Sequence, residues 1–143
     1  MNIKIGYLYP DLMNLYGETG NINALISYFK SQNVNAKVDL LTIENNIDFK
    51  KYDIFYIGCG TENNQMIVLN DLLKYKQDIF EAINRGVFFF ATGNAFELFG
   101  SHIVLDNKNI ECLNIFNYYT ERTKKSLVCE TLGNSKLINK KIL

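Results

Sequence analysis

Residue types that carry enzymatic chemistry are scarce in this chain. It has three cysteines, Cys59, Cys112 and Cys129, and one histidine, His102. A single histidine excludes a multi-histidine metal site, and the cysteines lack metal-ligand spacing. The stretch that most invites chemistry is residues 86–100, Gly-Val-Phe-Phe-Phe-Ala-Thr-Gly-Asn-Ala-Phe-Glu-Leu-Phe-Gly. Its uncharged first half, 87–91, predicts a strand buried on both faces of a parallel sheet. Thr92, Gly93 and Asn94 break the run; Ala95, Phe96, Leu98 and Phe99 follow at helical spacing, and Gly100 can end that short helix. Strand, tight turn and helix in succession is the geometry of a nucleophile elbow, with the turn residue raised at the carboxyl end of the strand. An elbow needs Cys, Ser or another nucleophile at its apex. The apex here is Gly93, so the segment reads as an active-site frame without its reactive group.

The other candidates are weaker. Cys59 sits in Gly58-Cys59-Gly60-Thr61-Glu62 and reads first as a small residue in a glycine-rich turn; the alternative is a thiol standing in for the one missing at Gly93. Cys112 and Cys129 read as buried small apolar residues. His102, beside an apolar strand, reads as a packing residue, with a catalytic base as the alternative. Glu97 on the elbow helix either faces solvent or caps nearby N–H groups. Asp11, Asn14, Tyr16 and Asn21 lie in a polar, glycine-containing connection whose composition fits turn chemistry or contact with a partner or ligand.

The elements that would position these residues alternate. Ile3, Ile5, Tyr7 and Tyr9 predict a first strand, ended by Pro10. Ile22, Leu25, Ile26 and Phe29 form one apolar stripe on a first helix, with Thr19 or Asn21 as its N-cap. Residues 36–43 predict a second strand, 48–52 a polar loop and 53–57 a third strand. A long second helix follows over about 64–84, with Met66, Leu69, Leu72, Leu73, Ile79, Phe80 and Ile83 as its stripe and Gly86 as its stop. This pattern predicts an α/β fold with a doubly wound, mostly parallel sheet built from right-handed crossovers. The ligand site of such a sheet lies outside the strands' carboxyl ends, which are left by loops 9–21, 58–64 and 92–95. Short strands are expected at 101–105, 109–113, 116–120 and 127–131, giving a βαβ core at 1–100 and a strand-rich remainder at 101–143.

The chain has 143 residues, room for one domain. Fifteen basic residues balance fifteen acidic ones, so nothing electrostatic argues for nucleic acid or an anionic membrane. No apolar run approaches the roughly 20 residues of a membrane span, and no export signal precedes the first strand. A cytoplasmic protein with free thiols is the simplest expectation.

Three segments together resemble the CobB/CobQ-type class I glutamine amidotransferases, and within them the glutaminase subunit of lipid II isoglutaminyl synthase. Tyr9-Pro10-Asp11-Leu12-Met13-Asn14-Leu15-Tyr16-Gly17, followed by Gly20-Asn21-Ile22, is similar to the family's amino-terminal signature. Ile57-Gly58-Cys59-Gly60, followed by Gln65, resembles its glycine-rich loop, ordinarily Gly-Gly-Gly, which lines the oxyanion hole. Residues 86–100 resemble its nucleophile segment, ordinarily Ala-Ile-Cys-Gly-Gly-Tyr-Gln-Leu-Leu-Gly, and 116–121 resemble the stretch before its glutamine-binding arginine.

The resemblance implies a flavodoxin-like fold, no cofactor, and ammonia supply from glutamine to a Mur-ligase-like, ATP-using partner that amidates the peptidoglycan stem of lipid II. It also implies what is missing. The family's nucleophilic Cys falls on Gly93, its two following glycines on Asn94 and Ala95, its Gln on Glu97, and its glutamine-binding Arg on Ser126, with Arg122 and Lys125 nearby. The family's catalytic His belongs to a second half that these 143 residues lack, and His102 does not match it. The expectation is a fold incomplete at its carboxyl end, a surviving oxyanion and glutamine-site frame at Gly58, Gly60 and Asn94, a partner or ligand loop at Asp11, Asn14, Tyr16 and Asn21, and no glutamine hydrolysis. The alternatives are a non-functional fragment of a broken amidotransferase gene, or an enzyme with altered chemistry through Cys59.

Overall fold

The computed structural model describes residues 1–123, 132–135 and 139–142. Its centre is a parallel four-stranded sheet of β1 (Asn2–Leu8), β2 (Asn35–Leu41), β3 (Ile54–Ile57) and β4 (Phe88–Ala91), in the order β2-β1-β3-β4. Strand order reverses at β1, so the crossovers leave on opposite faces. Helix α1 (Thr19–Ser31) joins β1 to β2 and buries Ile22 against Ile3, Ile5, Tyr7, Ile54 and Tyr56, with Leu25, Ile26 and Phe29 completing its stripe. Helices α2 (Glu62–Leu72) and α3 (Lys76–Asn84) join β3 to β4 and pack Val68, Leu69, Leu72, Ile79 and Ala82 with Leu8, Phe55 and Ile57 on the other face. This is the expected doubly wound α/β fold.

Several local expectations are corrected. The long second helix is broken by a single 3-10 turn, Leu73–Tyr75. The break shifts the helical phase, so Leu73 and Phe80, expected on the buried stripe, are exposed, while Val68 and Ala82 are buried. Helix α1 begins at Thr19 without a side-chain cap on its preceding residue, Glu18; Asn14 Oδ1 instead accepts from the Thr19 N–H at 3.1 Å. Asn21 lies inside the helix. The supposed polar loop at 48–52 contains a 3-10 turn, Phe49–Lys51, whose Phe49 ring is buried against Phe55, their centroids 4.7 Å apart.

The largest correction concerns β4. Its register puts Phe88 beside Ile54 and Phe90 beside Tyr56, on the α1 face, beyond the reach of α1. Phe88 is 60% exposed and Phe90 48%. An uncharged run is therefore compatible with an edge strand that has one bare face, and only Phe89 and Ala91 turn toward the main core.

Beyond the elbow, β5 (His102–Leu105) pairs antiparallel with β6 (Lys108–Glu111) and parallel with the short β7 (Thr120–Glu121). Residues 116–119, expected to be a strand, form bends and loop. Strands β8 (Gly133–Ser135) and β9 (Lys140–Ile142) form an antiparallel pair not foreseen from the sequence. The strand expected at 127–131, together with Lys124, Lys125, Ser126 and Cys129, lies outside the described residues. No helix among the described residues is long and apolar enough to cross a membrane.

Candidate functional site

Three loops meet at the carboxyl ends of β1, β3 and β4. The first is set by Tyr9, whose φ of +51° is an unusual left-handed conformation for a bulky residue. Tyr9 turns the chain off β1, accepts from the N–H groups of Leu12 and Met13 at 3.0 and 2.7 Å, and donates its buried hydroxyl to Asp71 Oδ2 at 2.8 Å. Lys74 donates to the other Asp71 oxygen at 2.7 Å. The loop then lies across the glycine turn after β3. Leu15 N–H donates to the Cys59 carbonyl at 2.9 Å, and Asn64 Nδ2 donates to the Leu12 carbonyl at 2.9 Å.

This close approach explains the glycines. A Cβ on Gly58 would stand 2.5 Å from the Met13 carbonyl oxygen and collide with the Glu18 side chain; one on Gly60 would stand 2.5 Å from Met13 Sδ. Thr61 then caps α2, accepting from Asn64 N–H at 3.2 Å.

The elbow turns at Gly93, with φ +54°, into a 3-10 helix, Gly93–Phe99. A Cβ built on Gly93 would lie 2.9 Å from both Cβ and Sγ of Cys59. The Cys59 side chain thus fills the space that any side chain at the apex would need. Compared with the pattern the resemblance implies, a glycine in the turn after β3 and a thiol at the elbow, the two residue types are exchanged and the shared volume remains filled.

Asn94 closes the adjacent backbone. Its Oδ1 accepts from Gly60 N–H at 3.1 Å and its Nδ2 donates to the Gly60 carbonyl at 2.8 Å. The N–H expected to serve as an oxyanion donor is therefore bound by the side chain of the residue next to the apex. The structure brings Gly58, Gly60 and Asn94 into one junction, but that junction holds itself closed.

Beneath it lies a polar cluster that sequence reading missed. Glu18 is 7% exposed and its Oε2 accepts from Tyr56 Oη, from Thr92 Oγ1 at 2.9 Å and from Asn21 Nδ2 at 3.0 Å. Burial opposes the carboxylate, yet hydrogen bonds from Tyr56, Thr92, the Cys59 backbone and Asn21 outweigh it and hold the Glu18 carboxyl below the ordinary glutamate value. Glu18 thereby ties α1, β3 and the elbow together. Its position three residues before Asn21 was the one available signal.

A second hub joins the elbow helix to β7. Gln65, fully buried, donates from Nε2 to the Asn94 carbonyl at 2.6 Å and to Glu97 Oε2 at 2.8 Å, while its Oε1 accepts from Arg122. Arg122 is ion-paired to Glu97 at 2.6 Å and to Glu62 at 3.1 Å. Two carboxylates occupy this guanidinium, so the arginine nearest the expected glutamine-binding position is engaged internally. Glu97 is neither free in solvent nor a helix cap.

The remaining candidates stand apart. His102 stacks on Tyr119, centroids 5.1 Å apart, and its Nδ1 lies 2.9 Å from Ser101 Oγ. Cys112 is buried, and burial foremost, with the charges of Glu97 and Glu111, pushes its thiol up to about 11. Asp11, Asn14 and Tyr16 are exposed on the first loop; Tyr16 is 80% exposed and Leu15 48%.

Comparison with known proteins gives a family and a fold. Residues 4–142 match the CobB/CobQ-like glutamine amidotransferase domain. Lipid II isoglutaminyl synthase (glutamine-hydrolyzing) subunit GatD of Streptococcus pneumoniae is 32% identical over 119 residues, which cover 82% of this chain and 46% of that protein. The subunit of the same name from Staphylococcus aureus is 32% identical over 120 residues, covering 83% and 49%. The chain spans about half the length of the curated relatives it matches. A peptidase E-type protein of Listeria monocytogenes shares the fold, with a TM-score of 0.55 at 15% identity over 80% of this chain and 63% of that one.

Proposed function

The chain belongs to the CobB/CobQ-like glutamine amidotransferase family, and on that premise we propose that it is a non-hydrolysing member that keeps the family's partner-binding role. The observation that carries this reading is the closed junction: Gly93 offers no nucleophile, Cys59 fills the apex, and Asn94 binds both backbone groups of Gly60. Amide hydrolysis needs an attacking atom and free donors where the oxyanion develops. Position 93 supplies no attacking atom, and the Gly60 N–H is already bound by Asn94 Oδ1.

The partner by resemblance is a Mur-ligase-like, ATP-using subunit of peptidoglycan stem amidation. The exposed Leu15 and Tyr16, flanked by Asp11 and Asn14 on a loop pinned by Tyr9, Asn64 and Cys59, offer it an apolar contact on a rigid base. Co-expression with the Mur-ligase-like subunit from the same source tests the reading. The expected result is co-purification that is lost on Leu15→Asp with Tyr16→Ala. Two proteins that elute separately at micromolar concentration overturn it.

One observation favours a second reading. Cys59 Sγ lies at the elbow apex, where the family places its thiol, so a rewired thiol chemistry is the competing function. It requires an activity that disappears in Cys59→Ala.

A further inference from the structure

The first loop holds both main-chain groups of Cys59. Leu15 N–H donates to the Cys59 carbonyl at 2.9 Å, and the Glu18 carboxylate accepts from the Cys59 N–H. The Glu18 stem also presses on the preceding residue: a Cβ on Gly58 would stand 2.4 Å from Glu18 Cγ and 2.7 Å from Glu18 Cβ. The same carboxylate accepts from Tyr56 Oη on β3 and, at 2.9 Å, from Thr92 Oγ1, one residue before the apex. One buried side chain therefore reaches both halves of the Cys59–Gly93 contact. The thiol adds little hold of its own, since its hydrogen bond to the Gly60 carbonyl is 3.9 Å long. The segment that carries Leu15 and Glu18 is tied to itself. Gly17 N–H donates to the Asn14 carbonyl at 3.4 Å, Gly20 N–H to the Gly17 carbonyl at 2.8 Å, and Thr19 N–H to Asn14 Oδ1 at 3.1 Å.

We propose that residues 14–19 act as a lever on the junction, with Glu18 as the positioning residue that keeps the Cys59 side chain in the apex beside Gly93. The inference rests on the closed-junction reading and names what keeps the junction closed. Glu18 is 7% exposed, so water offers its donors few substitutes when the carboxylate is lost. Leu15, whose N–H holds the Cys59 carbonyl, belongs to the same unit, so a displacement of the loop at Leu15 is passed directly to Cys59.

The test is alkylation of the folded 143-residue chain by iodoacetamide, with the rates at Cys59 and Cys112 read separately by mass spectrometry of their peptides. Cys112, 3% exposed, gauges general loosening of the fold. Rates are expressed per thiolate, from their pH dependence, because removing a nearby negative charge also shifts thiol ionisation. Glu18→Gln should raise the Cys59 rate at least about fivefold, the factor that corresponds to one lost hydrogen bond, and leave the Cys112 rate unchanged. Tyr56→Phe keeps the carboxylate and its charge but removes one donor to it, and should give the same selective rise, by about twofold or more. A Cys59 rate unchanged in both variants, or Cys59 and Cys112 rates that rise in step, would overturn the proposal. The measurement uses the chain alone, so it fails or succeeds separately from the partner reading, and glutamine turnover remains a separate assay of the closed-junction reading.

Discussion

If the Cys59 side chain occupies the elbow apex, restoring a thiol at position 93 must conflict with it, and the conflict has a calculable size. Gly93→Cys meets two costs. The first is conformational: φ is +54°, and holding a non-glycine residue in the left-handed region costs about 1–3 kcal/mol. The second is steric: the new Cβ would lie 2.9 Å from Cys59 Cβ and Sγ, and overpacking of this kind costs about 1–3 kcal/mol. Together they approach about 2–6 kcal/mol, a large part of the 5–15 kcal/mol that holds a typical domain. In a Cys59→Gly background the second cost vanishes and the first remains. A double-mutant cycle should therefore show about 1–3 kcal/mol of favourable coupling between Cys59→Gly and Gly93→Cys. At about 4 °C per kcal/mol for a domain of this size, that is a melting temperature roughly 4–12 °C above the additive expectation. Urea and thermal unfolding of wild type, both single variants and the double variant, under reductant to prevent a 59–93 disulfide, measures it directly. Coupling within about 0.5 kcal/mol of zero would refute the claim that the two positions share one volume.

Other parts of the site make separate predictions. Asn94→Ala strips Gly60 of both its partners and should cost about 1–3 kcal/mol, read as a lower melting temperature, without creating glutamine hydrolysis. Glu18 is depressed in the folded state, so its contribution is present above the unfolded glutamate value of about 4.3 and is lost as pH falls through the lower folded value. Wild type should be more stable than Glu18→Gln at pH 7, and the difference should shrink below pH 4; melting temperature against pH for the two proteins checks this, and parallel curves would contradict it. Tyr9→Phe leaves Asp71 buried with Lys74 as its remaining side-chain partner and should cost about 1–3 kcal/mol in urea unfolding.

What could be read from the sequence, and what could not, follows from the range of the interactions involved. Periodicity in Ile22, Leu25, Ile26 and Phe29 and the strand–turn–helix order around Gly93 are local signals, and both elements formed. The break at Leu73–Tyr75 carries no glycine or proline, so an apolar stripe ran through it unmarked. The exposure of Phe88 and Phe90 depends on which strand lies beside β4, and an apolar run says nothing about its neighbours. The apex was legible as an absence at Gly93, but not its filling, because residues 34 positions apart meet only in the folded sheet. The same holds for Asn94 on Gly60, for Glu18 on Thr92, 74 residues away, and for Arg122 on Glu97 and Gln65. Long-range polar pairings decide whether this site is open, and they leave no periodic trace.

The central claim is that the junction is closed and holds no working nucleophile. Ammonia release from glutamine by the purified chain, alone and with the Mur-ligase-like subunit and ATP, tests it most directly. The account predicts release at the buffer background, equal for wild type and Cys59→Ala. Turnover by wild type that Cys59→Ala abolishes would contradict it and would make Cys59 the nucleophile.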